Sequence, residues 1–71
     1  MNKKDTSSTE LPTTLTPKEV AQLLLISEES LANRRSQGRG PIYRKLGNRV
    51  LYFECDVIAY LNSLPTIHPA V

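Results

Sequence analysis

The basic side chains of this 71-residue sequence are concentrated in one segment. Six of its nine lysines and arginines lie between positions 34 and 49, and no acidic residue lies between Ser30 and Phe53. The net charge of +2 is too small to indicate a partner by itself. A segregated basic segment in a compact domain is, however, typical of a site that binds a polyanion. Its members are Arg34, Arg35, Arg39, Arg44, Lys45 and Arg49.

Residue types that support catalysis or metal binding are scarce. Cys55 is the single cysteine, so it cannot form an internal disulfide, and with the distant His68 it cannot complete a structural zinc site. We find no nucleophile–base set, catalytic carboxylate pair or phosphate-binding glycine loop, so we expect no enzymatic activity, no cofactor and no metal. An apolar run of about 18–20 residues and a secretory signal are also missing, which predicts a cytoplasmic protein without a membrane partner.

Two short helices are predicted before and within the basic segment. Thr16 is a good N-cap and Glu19 completes a capping box, so a first helix should run over about 17–24. Ser27 can cap a second helix over about 28–37, which ends before a glycine. The linker of about three residues is too short to reverse the chain fully. The two helices must therefore cross steeply, as in a helix-turn-helix.

A β-hairpin is predicted after the glycine-rich break that follows the second helix. Residues 42–46 and 49–53 are enriched in β-branched and aromatic types and flank a Gly-Asn turn. Period-two spacing places Val50 on the inner face, but the loop length leaves open whether Leu46 or Lys45 joins it. Because burying a lysine is costly, we expect Leu46 to point inward.

A third helix is predicted over about 54–63. Val57, Ile58 and Leu61 have the spacing of one apolar helix face. Four aromatic side chains are expected to pack in the core rather than to act as stacking platforms for single strands. They are Tyr43, Tyr52, Phe53 and Tyr60.

The order of these elements predicts an α+β, mainly α, fold. Two helices, a hairpin wing and a C-terminal helix make up a winged helix-turn-helix domain over residues 14–64. Residues 1–13 are polar and lack a hydrophobic period, so they are predicted to be a disordered tail. Residues 65–71 are predicted to be a short C-terminal tail.

The second helix is the candidate reader of a DNA major groove, which admits an α-helix. Asn33 can pair bidentately with adenine, and Ser30 is a less discriminating donor or acceptor. Arg34 and Arg35 can reach guanine or phosphate, although the stem of Arg34 could instead lie against the hairpin. With Leu31 inward, the open side is expected to carry Glu29, Ser30, Asn33 and Ser36.

Two glutamates stand at the start of the second helix. A carboxylate is repelled by phosphate, so Glu28 and Glu29 are interpreted as residues near the cap that face away from DNA. The alternative is that one of them accepts a hydrogen bond from cytosine N4.

The hairpin is expected to supply a second contact. Its tip is small and basic, with Lys45, Asn48 and Arg49, and suits a narrow groove or a ridge of phosphates. Arg39 and Arg44 lie at the junction between helix and hairpin and are expected to bracket the DNA backbone.

The sequence resembles the MerR-like winged helix family, and within it small excisionase-type and AlpA-type prophage regulators. The resemblance covers about residues 15–63 and is carried by LTPKEVA, by Ile-Ser in the turn, by GRGPIYRKLGNRVLY and by DVIAYL. It implies that the second helix, around 30–35, enters the major groove and that the basic wing contacts the neighbouring backbone or minor groove. The sequence departs from the family at Leu25, where glycine is frequent, and at Arg34, where an aromatic residue is frequent.

These observations predict a protein that binds double-stranded DNA in a sequence-specific way. It would be a transcriptional regulator or an excisionase-type recombination directionality factor, acting as a homodimer or a cooperative array because one small domain covers few base pairs. The effector domain of full MerR regulators has no counterpart here, so we expect no small-molecule effector. The alternative is a protein-interaction module, such as a phage packaging adaptor or an antitoxin, whose basic face meets an acidic partner.

Overall fold

The computed structural model describes residues 11–69 and confirms the predicted winged arrangement of helices and hairpin. The predicted tail over 1–13 lies mostly outside the described residues. In chain order the elements are β1 (Thr14–Leu15), α1 (Pro17–Leu24), α2 (Glu28–Ser36), β2 (Arg44–Leu46), β3 (Arg49–Phe53) and α3 (Glu54–Ser63).

Helix α1 begins and ends with local hydrogen bonds. The hydroxyl of Thr16 accepts from the backbone N–H of Glu19 at 3.1 Å, and the Glu19 carboxylate accepts from the backbone N–H of Thr16 at 2.8 Å. This confirms the predicted capping box. After the last helical residue, Leu25 adopts a left-handed conformation with φ +61°. The N–H of Ile26 then reaches the carbonyl of Ala21 at 3.0 Å, which completes a Schellman motif.

Helix α2 begins at the predicted cap. The hydroxyl of Ser27 accepts from the backbone N–H of Ser30 at 3.0 Å. The helix ends at Ser36 with Gln37 as its C-cap, and Gly38 follows with φ +72°, a conformation that glycine adopts without a steric penalty. The short linker between α1 and α2 is therefore bounded by the predicted Ser27 cap of α2 and by the left-handed Leu25 cap of α1, which was not predicted.

The three strands form one antiparallel sheet in the order β1-β3-β2. The two residues of β1 pair with Tyr52 and Phe53. Nothing in the sequence analysis predicts this strand, because two residues show no periodicity. Its effect is to place β3 in the centre of the sheet, where Tyr52 pairs with Leu15 of β1.

The prediction that the Leu46 side chain points inward is wrong. Lys45 lies opposite Val50 and Leu46 lies opposite Arg49, so Lys45 shares the face of Val50 and Leu46 lies on the outer face. Leu46 is 68% exposed. The two-residue turn after Leu46 sets this register, and Lys45 escapes burial because the hairpin extends past the core.

The structure also differs from the expectations in where β2 begins and in how much of α3 is buried. Strand β2 begins at Arg44 rather than at residue 42, because the chain first turns through Gly40, with φ +87°, and the buried Pro41. On α3, Val57 is buried as expected, but Ile58 and Leu61 are exposed. Within residues 11–69 no further element covers that side of the helix.

The core is small and draws on every helix and on the central strand. Partly buried apolar side chains from the turn and the sheet surround it, including Leu24, Ile26 and Val50. No helix among residues 11–69 is long and apolar enough to cross a membrane. The buried core residues are Val20, Ala21, Leu31, Tyr52 and Val57.

Candidate nucleic-acid interface

Helix α2 has distinct inner and outer faces. Leu31 is buried, whereas Glu29, Asn33 and Ser36 are exposed and follow one another at spacings of four and three residues. Side chains at this spacing lie on one face of a helix. The outer face is therefore short and polar, with hydrogen-bonding groups and no apolar side chain. Glu29 lies on this face, as expected for the open side of the helix.

Ser30 lies at the edge of that face and is partly buried. Its backbone N–H is taken by the Ser27 cap, so its hydroxyl is the group left to meet a ligand. Ser36 uses its hydroxyl to donate to the backbone carbonyl of Asn33 at 2.9 Å. The Asn33 side chain is thus the exposed amide at the centre of the outer face.

Arg34 lies on the inner side of α2. It follows Leu31 by three residues and is partly buried. It lines a groove between the end of α1, the turn and the end of α3, together with apolar side chains. This matches the alternative in which the stem of Arg34 packs on the protein, although against α3 rather than against the hairpin. The apolar members of the groove are Leu24, Ile26, Tyr60, Leu61 and Leu64.

Arg35 is also on the inner side, where it meets the base of the wing. Its Nη1 donates to the hydroxyl of the buried Tyr52 at 3.1 Å. Its guanidinium carbon lies 5.7 Å from the ring centroid of Tyr43, within the range of a cation–π contact. Tyr43 itself is 40% exposed, so the prediction that it packs in the core is wrong. Tyr52 is in the core as predicted.

The two arginines at the junction between α2 and the wing both have partners in the protein. The Arg39 guanidinium donates to the side-chain oxygen of Gln37 at 3.0 Å. Arg44 forms an ion pair with Asp56, with an N–O distance of 3.5 Å, and its guanidinium carbon lies 4.4 Å from the Phe53 ring centroid. Arg44 is therefore partly neutralised, which lowers what it can contribute to binding a polyanion.

The tip of the wing carries exposed basic groups. Lys45, Asn48 and Arg49 are all exposed around a turn whose first central residue, Gly47, has φ +61°. A positive φ there is the feature of a type II′ hairpin turn, which requires glycine. The narrow tip leaves Lys45 and Arg49 on opposite faces of the hairpin, since Lys45 pairs with Val50 and not with Arg49.

The predicted site residues therefore fall into three groups. Ser30 and Asn33 lie on or beside the outer face of α2, and the predicted wing-tip residues are exposed together. The third group is the remaining arginines: Arg35, Arg39 and Arg44 bond other side chains of the domain, and Arg34 lines the groove beside α3. Charge alone could not distinguish these groups. The usable signal was the helical spacing of Arg34 and Arg35 from Leu31, which places them on the inner side.

A pair of short helices joined by a tight turn, followed by a basic hairpin and a third helix, defines a winged helix-turn-helix domain. The chain belongs to the Helix-turn-helix domain family, whose sequence profile matches residues 14–65. Membership in this family makes it a DNA-binding regulator, a class that is typically not enzymatic. No curated protein shows significant similarity to the chain. Residues 11–69 hold no cluster of side chains suited to a metal ion.

Proposed function

We propose that this protein is a sequence-specific binder of double-stranded DNA, a small regulator of the MerR-like, excisionase or AlpA type. The exposed face of α2 reads bases in the major groove, and the wing tip contacts the neighbouring backbone or minor groove. The observation that carries this proposal is the pairing of an exposed polar helix face with an exposed basic hairpin tip on one domain.

The contacts are divided between readout and positioning. Asn33 and Ser30 are the base-reading groups, with Asn33 suited to adenine. Lys45, Asn48 and Arg49 hold phosphates, which fixes the register of the helix in the groove. Arg39, exposed beside the end of α2, adds a backbone contact once its bond to Gln37 is exchanged for phosphate.

The experiment that tests this proposal is a salt titration of binding to duplex DNA. If about four to six phosphates are contacted, log affinity falls against log salt with a slope of roughly −4 to −5. A flat response, or no binding at low salt, contradicts DNA binding and favours a protein partner for the basic surface.

Two arginine variants give a matched comparison within the same titration. Arg49→Ala removes an exposed wing-tip charge and is expected to reduce the magnitude of the slope by about 0.9. Arg44→Ala removes a charge already paired with Asp56 and is expected to leave the slope nearly unchanged. An unchanged slope for Arg49→Ala would show that this wing-tip residue does not contact phosphate, and an equal reduction by Arg44→Ala would show that Arg44 contacts phosphate as well.

A further inference from the structure

Arg35 joins the second helix to the base of the wing. It follows Leu31 by four residues, so it lies on the core side of α2. Its hydrogen bond to the Tyr52 hydroxyl spans 17 residues of sequence and ends on a side chain that is 0% exposed. The rings of Tyr52 and Tyr43 are 6.3 Å apart and tilted by 52°, and the guanidinium lies near the Tyr43 ring. These three side chains form the Arg35 cluster.

We propose that Arg35 is a positioning residue, which holds the wing at the angle to α2 at which both elements reach one DNA duplex. This inference rests on the proposed function. Tyr52 lies within β3 and Tyr43 directly precedes β2, so the cluster touches both strands of the wing at their base. A small rotation at the base becomes a larger displacement at the tip, where Lys45 and Arg49 lie.

The geometry favours this role over a direct contact of Arg35 with phosphate. A buried phenol needs a hydrogen-bond partner, and the Arg35 guanidinium is the group that supplies one to Tyr52. Turning Arg35 towards DNA would break that bond and its contact with Tyr43. Asn33 precedes Arg35 by two residues, so its exposed side chain points to nearly the opposite side of the helix.

The test uses Tyr52→Phe, which removes one oxygen and keeps the ring. Affinity for duplex DNA is measured across salt for the wild type, Tyr52→Phe, Arg49→Ala and the double variant. Tyr52→Phe should reduce the magnitude of the slope by about 0.9 for each phosphate that the wing no longer reaches. The reduction in affinity caused by Arg49→Ala should be smaller by at least about threefold in the Tyr52→Phe background, since coupled residues are not additive.

The slope of log affinity against log salt distinguishes a positioning role of Arg35 from an effect on protein stability alone. All measurements are made at a temperature where circular dichroism shows every variant to be folded, so a change in stability alone leaves the slope unchanged. Tyr60→Phe is the control, because it removes a phenolic hydroxyl on α3 away from the cluster, and it should match the wild type. Arg35→Lys keeps the charge but not the planar group, so it should behave like Tyr52→Phe and add nothing to it.

Two outcomes would overturn the inference in distinguishable ways. If the wild type and Tyr52→Phe have equal slopes and Arg49→Ala costs the same in both, Arg35 does not position the wing and the proposed function stands. If the wild type does not bind duplex DNA at low salt, the proposed function is wrong and the positioning role falls with it.

Discussion

At the scale of single residues, a leucine occupies a backbone conformation that suits glycine. Leu25 ends α1 with φ +61° and is 90% exposed. For a residue with a Cβ, the left-handed region costs about 1–2 kcal/mol. The side chain recovers little of this by packing, because it lies almost wholly in solvent. The Schellman bonds from Leu25 and Ile26 keep the conformation in place.

Replacing Leu25 by glycine should therefore stabilise the protein. We expect Leu25→Gly to raise the free energy of unfolding by about 0.5–1 kcal/mol, because the relief of strain exceeds the entropy cost of glycine. Thermal unfolding should show a rise in Tm of a few degrees, about 4–8 °C per kcal/mol for a domain of this size. Leu25→Ala retains the strain and is the control. An alanine variant as stable as the glycine variant would refute the argument.

Asn33 presents the second prediction at this scale. Its amide is exposed on the outer face of α2, where it can form two hydrogen bonds to one adenine. Asn33→Ala should cost about 1–3 kcal/mol at one base pair and little elsewhere, so that preference disappears at that position only. The measurement is selection of bound sequences from a random DNA pool for both proteins. An equal effect on every sequence would show that Asn33 contacts the backbone.

At the scale of elements, the helices were predictable because their signals are local. Caps at Thr16 and Ser27 and the glycine after α2 act within one turn of the helix, so the helix bounds agree with the structure to within about a residue. The wing was predictable as a hairpin for the same reason. Its Gly-Asn turn and flanking apolar residues are adjacent in sequence.

The features that were not predicted depended on contacts between residues far apart in the sequence, which sequence spacing does not encode. The direction of Leu46 depended on the register, and β1 depended on an edge that β3 offers only after folding. The roles of Arg35 and Arg44 depended on Tyr52 and Asp56, which lie 17 and 12 residues away. A basic side chain has the same appearance in a sequence whether it meets DNA or another part of the protein.

The cap of α2 allows a prediction for a whole element. Ser27 is the side chain that accepts from the first turn of α2. Ser27→Ala should lower the free energy of unfolding by about 1 kcal/mol, and Ser27→Asp should retain most of the stability because aspartate is also a good cap. Chemical denaturation measures both. The matched control is Ser63→Ala, which removes a hydroxyl bonded to a backbone carbonyl at the end of α3. A destabilisation by Ser63→Ala equal to that by Ser27→Ala would contradict the capping role.

At the scale of the whole molecule, both the stability of the domain and the surface it can bury on DNA are small. Among residues 11–69, five buried residues make up the core, so a stability of a few kcal/mol is expected. A single module of this kind buries about 600–1,000 Å² of protein surface on DNA. The exposed polar face of α2 is also short, about two turns from Glu29 to Ser36.

One copy therefore reads too few base pairs for specific binding, and we expect at least two copies on a functional site. Selected DNA should contain repeated half-sites about 10 base pairs apart, or a multiple of that spacing, because copies on one face of the duplex are separated by whole helical turns. Native mass spectrometry of the complex should give two or more chains per duplex. A duplex with one half-site destroyed should bind a single chain, and more weakly. A single tight complex on one isolated half-site would mean that the wing and α2 together supply enough readout, and that a second copy is not needed.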